Sequence, residues 1–392
     1  MNTAATRNRF DVAVIGAGVF GAWTAHELRR AGASVILLDA YGPAHARASS
    51  GGESRIIRMG YGADDVYTRW SSRSLPRWQQ LFARVARPEL FHRTGVLWIA
   101  NAGNTYAADS LAAMQQHGVA AEKLSLTDLR HRYPQIVFEE DAWGVLEPES
   151  GVLLARRAVA AVVEEFVKLG GEYRTAAVEP PAISGSLDAI TTSDRHTISA
   201  GAYVFACGSW LGKVFPEILG PRIFPSRAEI FFFGAPSGST QFNESHLPTW
   251  LYLADEFYGM PDIESRGFKV ANDRHGERVD PDTQSRIASP SGAEAARAFV
   301  ARRFPALAGA PIVETRVCQY ENTSNGDFLI DRHPSAENVW LVGGGSGHGF
   351  KHGPAMGEYV AAHVLGRLTP ETQLEPRFSL ATKQDTQNRS VH

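Results

Sequence analysis

Cys318, in the segment ETRVCQYENTSNGDFLID, carries the most distinctive chemistry in this chain. The 392-residue sequence contains two cysteines, and the other, Cys207, lies far away in VFACGSW. Two scattered thiols provide neither a disulfide framework nor the ligand set of a zinc site. Cys318 is therefore either a small buried apolar residue or a reactive thiol, and its own segment leaves both interpretations open.

A glycine-rich turn near the N-terminus predicts a nucleotide site. The segment FDVAVIGAGVFGAWTAHELRRAGASVILLDA shows an apolar strand, a turn, an amphipathic helix and a second apolar strand. In such a βαβ unit Gly16 permits the tight turn, Gly18 lets a pyrophosphate approach the backbone, and Gly21 lets the helix pack on the strand. The helix N-terminus supplies amide dipoles for the phosphates. Asp39 ends the second strand and can accept hydrogen bonds from a ribose diol, so the motif favours FAD or NAD over NADP.

A second glycine-rich turn, GGGSGHGFKHGP, precedes an apolar helix near the C-terminus. Amide groups at such a helix end stabilise the negative charge that the pyrimidine edge of a flavin gains on reduction. A redox role therefore fits better than a structural one, although these glycines are also compatible with close packing alone. They are Gly343, Gly344, Gly345, Gly347 and Gly349.

Other chemistries fit this turn less well. His348 and His352 are four residues apart, but the neighbouring glycines indicate a loop and no third ligand is nearby, so a metal site is not predicted. Ser346 lacks the glycine two residues later that a hydrolase nucleophile requires. Two alternatives to a flavin enzyme stay open. One is an NAD-dependent dehydrogenase, which leaves Cys318 unexplained, and the other is a flavoprotein that binds FAD structurally as an assembly module.

Two kinds of architecture are needed to position these residues. The helix ARRAVAAVVEEFVKLGG, the segment AGAYVFACGSWLGKVF and the strand NVWLVGGG would extend the first βαβ unit. The segments FFFGAP, LPTWLYLADEFYGMP and GFKVAND instead predict an antiparallel sheet with aromatic-rich strands. The sequence therefore predicts an α/β fold, in which a Rossmann-like domain carries an inserted antiparallel-sheet domain. The predicted Rossmann-like domain comprises residues 1–90, 150–215 and 326–385, and the inserted domain comprises residues 91–149 and 216–325.

Composition and charge exclude several classes of partner. A hydrophobic content of 44% over 392 residues is enough for about two domains. The 39 Lys and Arg against 42 Asp and Glu give a net charge of -3, which favours neither nucleic acid nor an acidic membrane surface. The N-terminus shows no apolar signal stretch and nowhere do about 18 apolar residues run uninterrupted, so we expect a cytoplasmic protein.

Many short segments match one family over nearly the whole chain. They are VIGAGVFGA, SRIIRMGYG, RTGVLW, LEPESGVLL, FYGMP, GFKVAND, VDPDT, VCQY, DFLID and GGGSGHGFK. The chain resembles the monomeric sarcosine oxidase and N-methyltryptophan oxidase family of D-amino-acid-oxidase-like flavoproteins. The resemblance implies that the Rossmann-like domain binds FAD and that the inserted domain binds substrate. It also implies that the Cys318 sulfur is linked to the 8α carbon of the flavin, toward which a thiolate is a competent nucleophile. Cys207 is then expected to be buried and inert.

The resemblance assigns further residues to the cofactor and the substrate. Arg58 and Lys351 are expected to hold a substrate carboxylate, which a guanidinium can grip with two parallel hydrogen bonds. Arg55 matches a family arginine near the flavin ring, and Tyr258 and Tyr320 match tyrosines that line the substrate pocket. The residues expected to contact FAD are Gly16, Gly18, Gly21, Asp39, Ser49, Ser50, Cys318, Gly345, Gly347, His348, Gly349 and Lys351.

Lys269, in RGFKVAND, matches the family lysine beside flavin N5, on the side where oxygen reacts. Oxygen accepts one electron first, and a fixed ammonium would stabilise the superoxide anion in a poorly solvated cavity. Together with the residues assigned above, the resemblance implies that the catalytic residues are Lys269, Arg55, Tyr258 and Tyr320.

Two departures from the family pattern affect the expected substrate. Ser50 and Gly51 stand where the family has a histidine pair, and Asp273 stands where it has a pocket histidine, so Asp273 is also expected to contact substrate. These changes favour a larger or more cationic N-substituted amino acid over sarcosine. The expected reaction is hydride transfer from a secondary or N-alkylated amino acid to FAD, followed by imine hydrolysis and reduction of oxygen to hydrogen peroxide. The resemblance further implies a monomer, and oxidation of an amine without a carboxylate is the main alternative.

Overall fold

The computed structural model describes residues 9–43, 45–367 and 371–387. The strands, in chain order, are β1 (Arg9–Ile15), β2 (Val35–Asp39), β3 (Arg55–Ile57), β4 (Phe91–His92), β5 (Val96–Asn101), β6 (Glu122–Leu124), β7 (Ala142–Glu147), β8 (Gly151–Leu153), β9 (Glu172–Thr175), β10 (Ile190–Thr191), β11 (Thr197–Phe205), β12 (Phe224–Phe233), β13 (Thr249–Tyr252), β14 (Phe257–Met260), β15 (Phe268–Asn272), β16 (Ile312–Asn322), β17 (Leu329–His333) and β18 (Ala336–Gly343). The α-helices are α1 (Val19–Arg30), α2 (Asp65–Arg84), α3 (Thr105–Gln116), α4 (Leu126–Arg132), α5 (Ala155–Lys168), α6 (Leu211–Val214), α7 (Pro290–Arg303), α8 (Gly353–Val364) and α9 (Glu375–Phe378). None of the helices in these ranges combines the length and the apolar character needed to cross a membrane.

The first sheet has the strand order β17-β18-β11-β1-β2-β9, and β10 also pairs with β11. The strands from β18 to β9 are parallel, whereas β17 is antiparallel to β18. Alternate residues of β1 belong to separate apolar clusters. Val12 and Val14 pack with α1, α5 and α8, whereas Ala13 and Ile15 pack with Leu211 of α6. Burial on both faces is why residues 12–15 of this strand are all apolar.

The second sheet has the order β16-β12-β15-β14-β13-β5-β7-β6 and is antiparallel except where β13 runs parallel to β5. Phe268 and Val270 of β15 pack on one face in the same cluster as residues of α7. Because side chains alternate along a strand, Lys269 lies on the opposite face. Cys318 and Tyr320 of β16 belong to the small cluster on that opposite face. This face therefore presents the polar residues predicted for the site.

The predicted fold class is confirmed. The first predicted βαβ unit corresponds to β1, α1 and β2, and the helices predicted at ARRAVAAVVEEFVKLGG and AMGEYVAAHVLGRL are α5 and α8. Strands of the first sheet lie within residues 9–39, 172–205 and 329–343, and those of the second sheet lie within 96–147 and 224–322. A third sheet, β3-β8-β4, is not part of the prediction. The domain boundaries stay a prediction, and the first eight residues of the Rossmann-like segment lie outside the described residues.

Helices α1 and α8 pack closely through glycine. Gly353 and Gly357 are one turn apart on α8, and both lie against Trp23 of α1. An added Cβ at Gly353 would lie 2.6 Å from Trp23 Cδ1, and one at Gly357 would lie 2.7 Å from the Trp23 carbonyl oxygen. The absence of side chains at these two positions lets the helices approach. The contact also fixes the start of α8, directly after the second glycine-rich turn.

We expect Gly357→Ala to lower the free energy of unfolding by about 1–3 kcal/mol, because the added methyl group would overlap the backbone of Trp23. The helix preference of Ala over Gly, about 1 kcal/mol, offsets only part of this loss. Gly212→Ala on α6 is the matched control, since the nearest atom to an added Cβ there is 3.4 Å away. Urea denaturation measures both, and a Gly357→Ala midpoint equal to that of the parent would contradict the close packing.

Candidate active site

Two adjoining cavities contain most of the predicted site residues. The larger, about 320 Å³, extends from Asp39 to Gly345, and we call it the main cleft. The smaller, about 60 Å³, is lined by Arg58, Lys269 and Lys351, and we call it the basic pocket. The residues that line both cavities are Arg55, Tyr320, Gly347 and Phe350. A ligand that fills the main cleft therefore reaches the edge of the basic pocket.

The glycine turn between β1 and α1 forms part of the main cleft. Gly16 has a φ of +105°, and a Cβ there would lie 2.3 Å from the carbonyl oxygen of Ala206. A Cβ at Gly21 would lie 1.8 Å from the Gly16 oxygen, so both positions exclude a side chain for packing reasons. Gly18 differs, because an added Cβ would come no closer than 3.6 Å to Ser50 Oγ and the residue lines the cleft. A pyrophosphate can approach the backbone at such an open position.

Asp39 ends β2, as predicted, and lines the main cleft. One carboxylate oxygen accepts the N–H of Ala17 at 2.7 Å, while the other accepts the N–H groups of Tyr41 at 2.9 Å and Gly42 at 3.0 Å. The carboxylate therefore ties the glycine turn to the turn after β2. It is held at the strand end where a ribose diol is recognised in dinucleotide-binding folds.

The main cleft fits FAD at several points. Ser50 Oγ accepts the first N–H of α1 at 3.1 Å, and Ser49 Oγ lies 3.4 Å from Ser209 Oγ. All three serines line the cleft. An added Cβ at Gly345 would have no atom closer than 3.8 Å, so this backbone is also open to a ligand. Open backbone at Gly18 and again at Gly345 is what a dinucleotide needs to contact both turns.

Cys318 lies behind Arg55. The thiol is 8% exposed and is not among the residues that line either cavity. One terminal nitrogen of Arg55 donates to Cys318 Sγ at 3.2 Å and to the carbonyl oxygen of Ser49 at 2.6 Å. The guanidinium therefore contacts the thiol directly and joins it to the loop that carries Ser49.

Cys207 is half-buried and borders the main cleft, so the expectation that it is buried is wrong, while its inertness stays a prediction. The residue follows β11 at the sheet edge where the cleft begins, which leaves one side of the thiol open. Its Sγ lies 3.6 Å from the carbonyl oxygen of Ile15. Desolvation of the sulfur, and after it the charge of Asp39, raises the pKa of Cys207 above its usual range. A thiol held in its protonated form is a poor nucleophile.

The second glycine-rich turn separates the two cavities. Gly344 and Gly347 have φ values of +72° and +80°, which favour glycine, and Ser346 has a φ of +42°. The Ser346 N–H donates to the carbonyl oxygen of Glu321 at 2.8 Å. Of the predicted cofactor residues in this segment, those that line the main cleft are Gly345, Gly347 and Gly349. The side chains of His348 and Lys351 lie instead at the basic pocket.

The basic pocket has an excess of basic side chains. Among the described residues that line it, the basic ones are Arg55, Arg58, Lys269 and Lys351, and the single carboxylate is Asp273. Desolvated cations are costly unless a counter-charge offsets the loss of hydration. The pocket therefore favours an anionic ligand.

Arg58 is fixed by aromatic rings. It is 5% exposed, and its guanidinium carbon lies 4.5 Å from the Tyr61 ring centroid and 4.8 Å from the Trp98 ring centroid. It also donates to the carbonyl oxygen of Gly60. Glu147, 1% exposed, accepts the N–H of Gly60 at 3.1 Å and the Nε1–H of Trp98 at 2.8 Å. Sequence reasoning missed these supports, and the only signal for Glu147 is a carboxylate at the end of an apolar strand.

A buried hydrogen-bond network supports Lys351. Lys351 Nζ donates to Tyr61 Oη at 2.7 Å, and Tyr61 Oη lies 3.1 Å from His348 Nδ1 and 2.8 Å from His352 Nε2. The carbonyl oxygen of Gly326 can only accept, so His348 Nε2 donates to it at 3.1 Å. The two histidines considered as metal ligands thus bind a tyrosine, and in the described ranges no three His, Cys, Asp or Glu side chains are grouped as a metal site.

Both lysines of the basic pocket have lowered pKa values. Lys269, 2% exposed, donates to the carbonyl oxygen of Ser54 at 3.1 Å and to its Oγ at 3.2 Å. Burial, and after it the charge of Arg55, lowers the pKa of Lys269 to about 7. Burial, and after it the charge of Arg58, lowers the pKa of Lys351 well below its usual range. A bound anion would favour the protonated form of each lysine.

Tyr258 and Tyr320 form a pair at the border of the basic pocket, with their Oη atoms 3.5 Å apart. Burial raises the pKa of Tyr258 to about 12 and that of Tyr320 well above its usual range, so both phenols are neutral. Asp273 follows β15 and lines the same pocket. The structure thus brings together all the residues predicted for catalysis and substrate binding, while their individual roles stay predictions. They are Arg55, Arg58, Tyr258, Lys269, Asp273, Tyr320 and Lys351.

Comparison with known proteins places this site in a family. A family model described as FAD dependent oxidoreductase matches residues 11–363. Monomeric sarcosine oxidase from Bacillus sp. (strain B-0618) is 30% identical over 363 residues, which cover 91% of this chain and 92% of that protein. N-methyl-L-tryptophan oxidase from Salmonella heidelberg (strain SL476) is 29% identical over 383 residues, which cover 95% of this chain and 100% of that protein. The crystal structure of L-proline dehydrogenase from P. horikoshii has the same fold, with a TM-score of 0.81 at 18% identity, covering 95% of this chain and 97% of that one.

The family match favours FAD over NAD as the occupant of the main cleft. It extends over both glycine-rich turns, β16 and the start of α8, so every wall of the two cavities lies within the matched region. The chain therefore belongs to the family of FAD-dependent oxidoreductases.

Proposed function

We propose that this protein is an FAD-dependent oxidase of a secondary or N-alkylated amino acid. The observation that carries the proposal is the basic pocket, which adjoins the main cleft and has four basic side chains against one carboxylate among its described lining residues. An amino acid supplies the carboxylate that this pocket favours and the amine that an oxidase requires. The names of two relatives, sarcosine oxidase and N-methyl-L-tryptophan oxidase, support the same substrate class.

Arg58 and Lys351 would hold the substrate carboxylate. Arg58 is already confined between Tyr61 and Trp98, so its side chain loses little conformational freedom on binding. Lys351 Nζ donates to Tyr61 Oη, and burial disfavours its charged form. A substrate carboxylate beside this nitrogen would favour the protonated, charged form again. With its carboxylate fixed, the substrate is oriented so that its amine and the adjacent C–H face the main cleft.

The chemistry that bound FAD would supply is acceptance of a hydride equivalent from the carbon next to the substrate nitrogen and transfer of the electrons to oxygen. Gly18, Ser50 and Asp39 would contact its nucleotide portion at the N-terminus of α1. Lys269 would place its ammonium where oxygen is reduced and stabilise the developing negative charge. Tyr258 would exclude water from the substrate, and the imine product would hydrolyse after release.

Asp273 would select among amino acids. Its carboxylate lines the basic pocket and can only accept hydrogen bonds when ionised. A substrate with a second cationic or hydrogen-bond donor group is therefore favoured over sarcosine. We further propose that oxygen is the acceptor, that hydrogen peroxide is the product, and that the protein acts as a monomer in the cytoplasm. The monomeric state is supported by the name of the Bacillus relative.

Covalent attachment of FAD through Cys318 Sγ is also proposed. The Arg55 guanidinium lies 3.2 Å from the sulfur, and a thiolate is the nucleophile that such an attachment requires. Cys318 is 8% exposed and lines neither cavity, so its Sγ must become accessible from the main cleft for the bond to form.

The substrate class is tested by a screen of peroxide release from amino acids and from matching amines that lack the carboxylate. We expect turnover of N-substituted amino acids, and a fall in kcat/KM of roughly 10- to 150-fold in Arg58→Ala or Lys351→Met, since each substitution removes a charge-assisted contact. The carboxylate-free amines are the internal control and should be affected far less. Faster turnover of these amines, undiminished in Arg58→Ala, would show that the substrate is an amine without a carboxylate.

Covalent attachment is tested by denaturing the protein in acid and following the yellow colour. We expect the flavin to remain with the precipitated wild-type protein and to be released from Cys318→Ala, because Cys318 is the proposed attachment point and has a guanidinium beside its sulfur. Cys207→Ala is the matched control and should keep the covalent flavin. Equal release of flavin from the two variants would rule out Cys318 as the attachment point.

The contribution of Lys269 is tested by stopped-flow measurement of the two half-reactions. Lys269→Met should slow reoxidation by oxygen about 100-fold or more, because the substitution removes the charge that stabilises reduced oxygen. Anaerobic reduction by substrate should change far less. Lys383→Met is the control, since Lys383 is equally buried, at 2% exposed, but binds Asn325 Oδ1 away from both cavities. A larger effect on reduction than on reoxidation would contradict this assignment.

A further inference from the structure

Glu321 is a buried carboxyl group in the main cleft that the proposed reaction does not use. The residue lies on β16, is 5% exposed and lines the cleft. Within the described part of the chain, its Oε1 has no hydrogen-bond partner. A buried polar atom without a partner is costly, so its presence at a ligand cavity suggests that the ligand supplies the partner.

The surroundings of Glu321 hold its side chain in one place. An added Cβ at Gly343 would lie 2.3 Å from Glu321 Oε1, so the carboxyl group rests against this glycine. The N–H groups of Gly344 and Gly345 lie near the carboxyl group and partly oppose the rise in its pKa. On β12 the paired residue is Pro225, which has no ionisable side chain. The carboxyl group is therefore anchored at the second glycine-rich turn.

The other charges in the main cleft determine which protonation state of Glu321 is compatible with a bound anionic cofactor. The other readily ionised side chains that line it are Asp39, His45, Arg55, Cys207 and Asp282. Arg55 is the permanent cation in this set, and two other carboxylates are already present. An ionised Glu321 would add a third negative charge beside a pyrophosphate. Burial raises the pKa of Glu321 to about 8, although the two glycine N–H groups partly oppose the shift, so the carboxyl group is neutral at pH 7.

We propose that Glu321 binds FAD as a neutral carboxylic acid, whose Oε1 carries the proton and donates a hydrogen bond to a cofactor oxygen. The acceptor is an oxygen of the pyrophosphate or of the ribityl chain. This inference depends on FAD binding by the chain and not on the substrate or on covalent attachment. Protonation of Glu321 then accompanies FAD binding, and the affinity for FAD falls as the pH rises above the pKa of this carboxyl group.

The test uses the Cys318→Ala protein freed of flavin, in which FAD binds reversibly whether or not the wild type forms a thioether. Dissociation constants for FAD are measured from pH 6 to 9.5 by quenching of flavin fluorescence. We expect affinity to be constant at low pH and to fall about tenfold for each pH unit well above the pKa of about 8. The additional change Glu321→Gln keeps a donor but cannot titrate, so its affinity should stay near the low-pH value throughout.

A second variant and a control separate this inference from structural effects. Glu321→Leu, also made in Cys318→Ala, removes the donor and should weaken FAD binding about tenfold or more at pH 6.5 with no pH slope. Glu165→Gln changes a carboxyl group of similar burial on α5, 7% exposed and paired with Arg84, and should keep the slope of the parent. An unchanged slope in Glu321→Gln would overturn the proposal, even if Glu321→Leu failed to fold.

The acceptor oxygen is identified with two fragments of the cofactor. ADP contains the pyrophosphate without the ribityl chain, and riboflavin contains the ribityl chain without phosphate. If the affinity for ADP falls with pH and Glu321→Gln abolishes the fall, the hydrogen bond is to the pyrophosphate. If the affinity for riboflavin behaves in this way instead, the hydrogen bond is to the ribityl chain. FAD binding that is independent of pH in the parent would contradict both assignments and would leave the proposed amino-acid oxidation unaffected.

Discussion

The contact between Arg55 and Cys318 joins the two parts of this protein on which the site depends. Arg55 begins β3 and donates to the carbonyl oxygen of Ser49, beside the N-terminus of α1. The same nitrogen donates to Cys318 on β16, in the second sheet. The side chain therefore spans from the glycine turn of the first sheet to the substrate face of the second. Since Arg55 lines both cavities, its position determines how the main cleft and the basic pocket meet.

The two cavities are suited to anions by different physical means. The main cleft offers backbone amides, with open positions at Gly18 and Gly345, and few cationic side chains. Amide dipoles are fixed in place by the fold and need no counter-charge when the cleft is empty. The basic pocket instead concentrates basic side chains, whose charged forms are costly to bury. Burial lowers the pKa of both lysines, which favours their neutral forms, while Arg58 keeps its charge against the rings of Tyr61 and Trp98.

Local sequence patterns predicted the elements that form the main cleft. The apolar periodicity of β1, α1 and β2 indicated the βαβ unit, and Gly16 and Gly21 were predicted from the contacts that such a turn requires. These predictions succeed because the constraints act between residues close in sequence. The resemblance to a known family supplied Arg58, Lys269 and Lys351, which no local pattern distinguishes from surface charges. The structure places all three at one pocket.

The sequence by itself determined the fold class, the nucleotide turn and the expectation of a dinucleotide cofactor, because these depend on periodicity and on backbone geometry within short segments. Only the tertiary structure decided which side chains are buried together and which protonation state each of them favours. Glu147 supports Trp98 and Gly60 from a strand far along the chain, and Tyr61 meets His348 across 287 positions. The neutral form of Glu321 likewise arises from burial against the turn that begins at Gly343. A pKa depends on every neighbour that excludes water or donates a hydrogen bond, and those neighbours come from segments whose proximity no local pattern encodes.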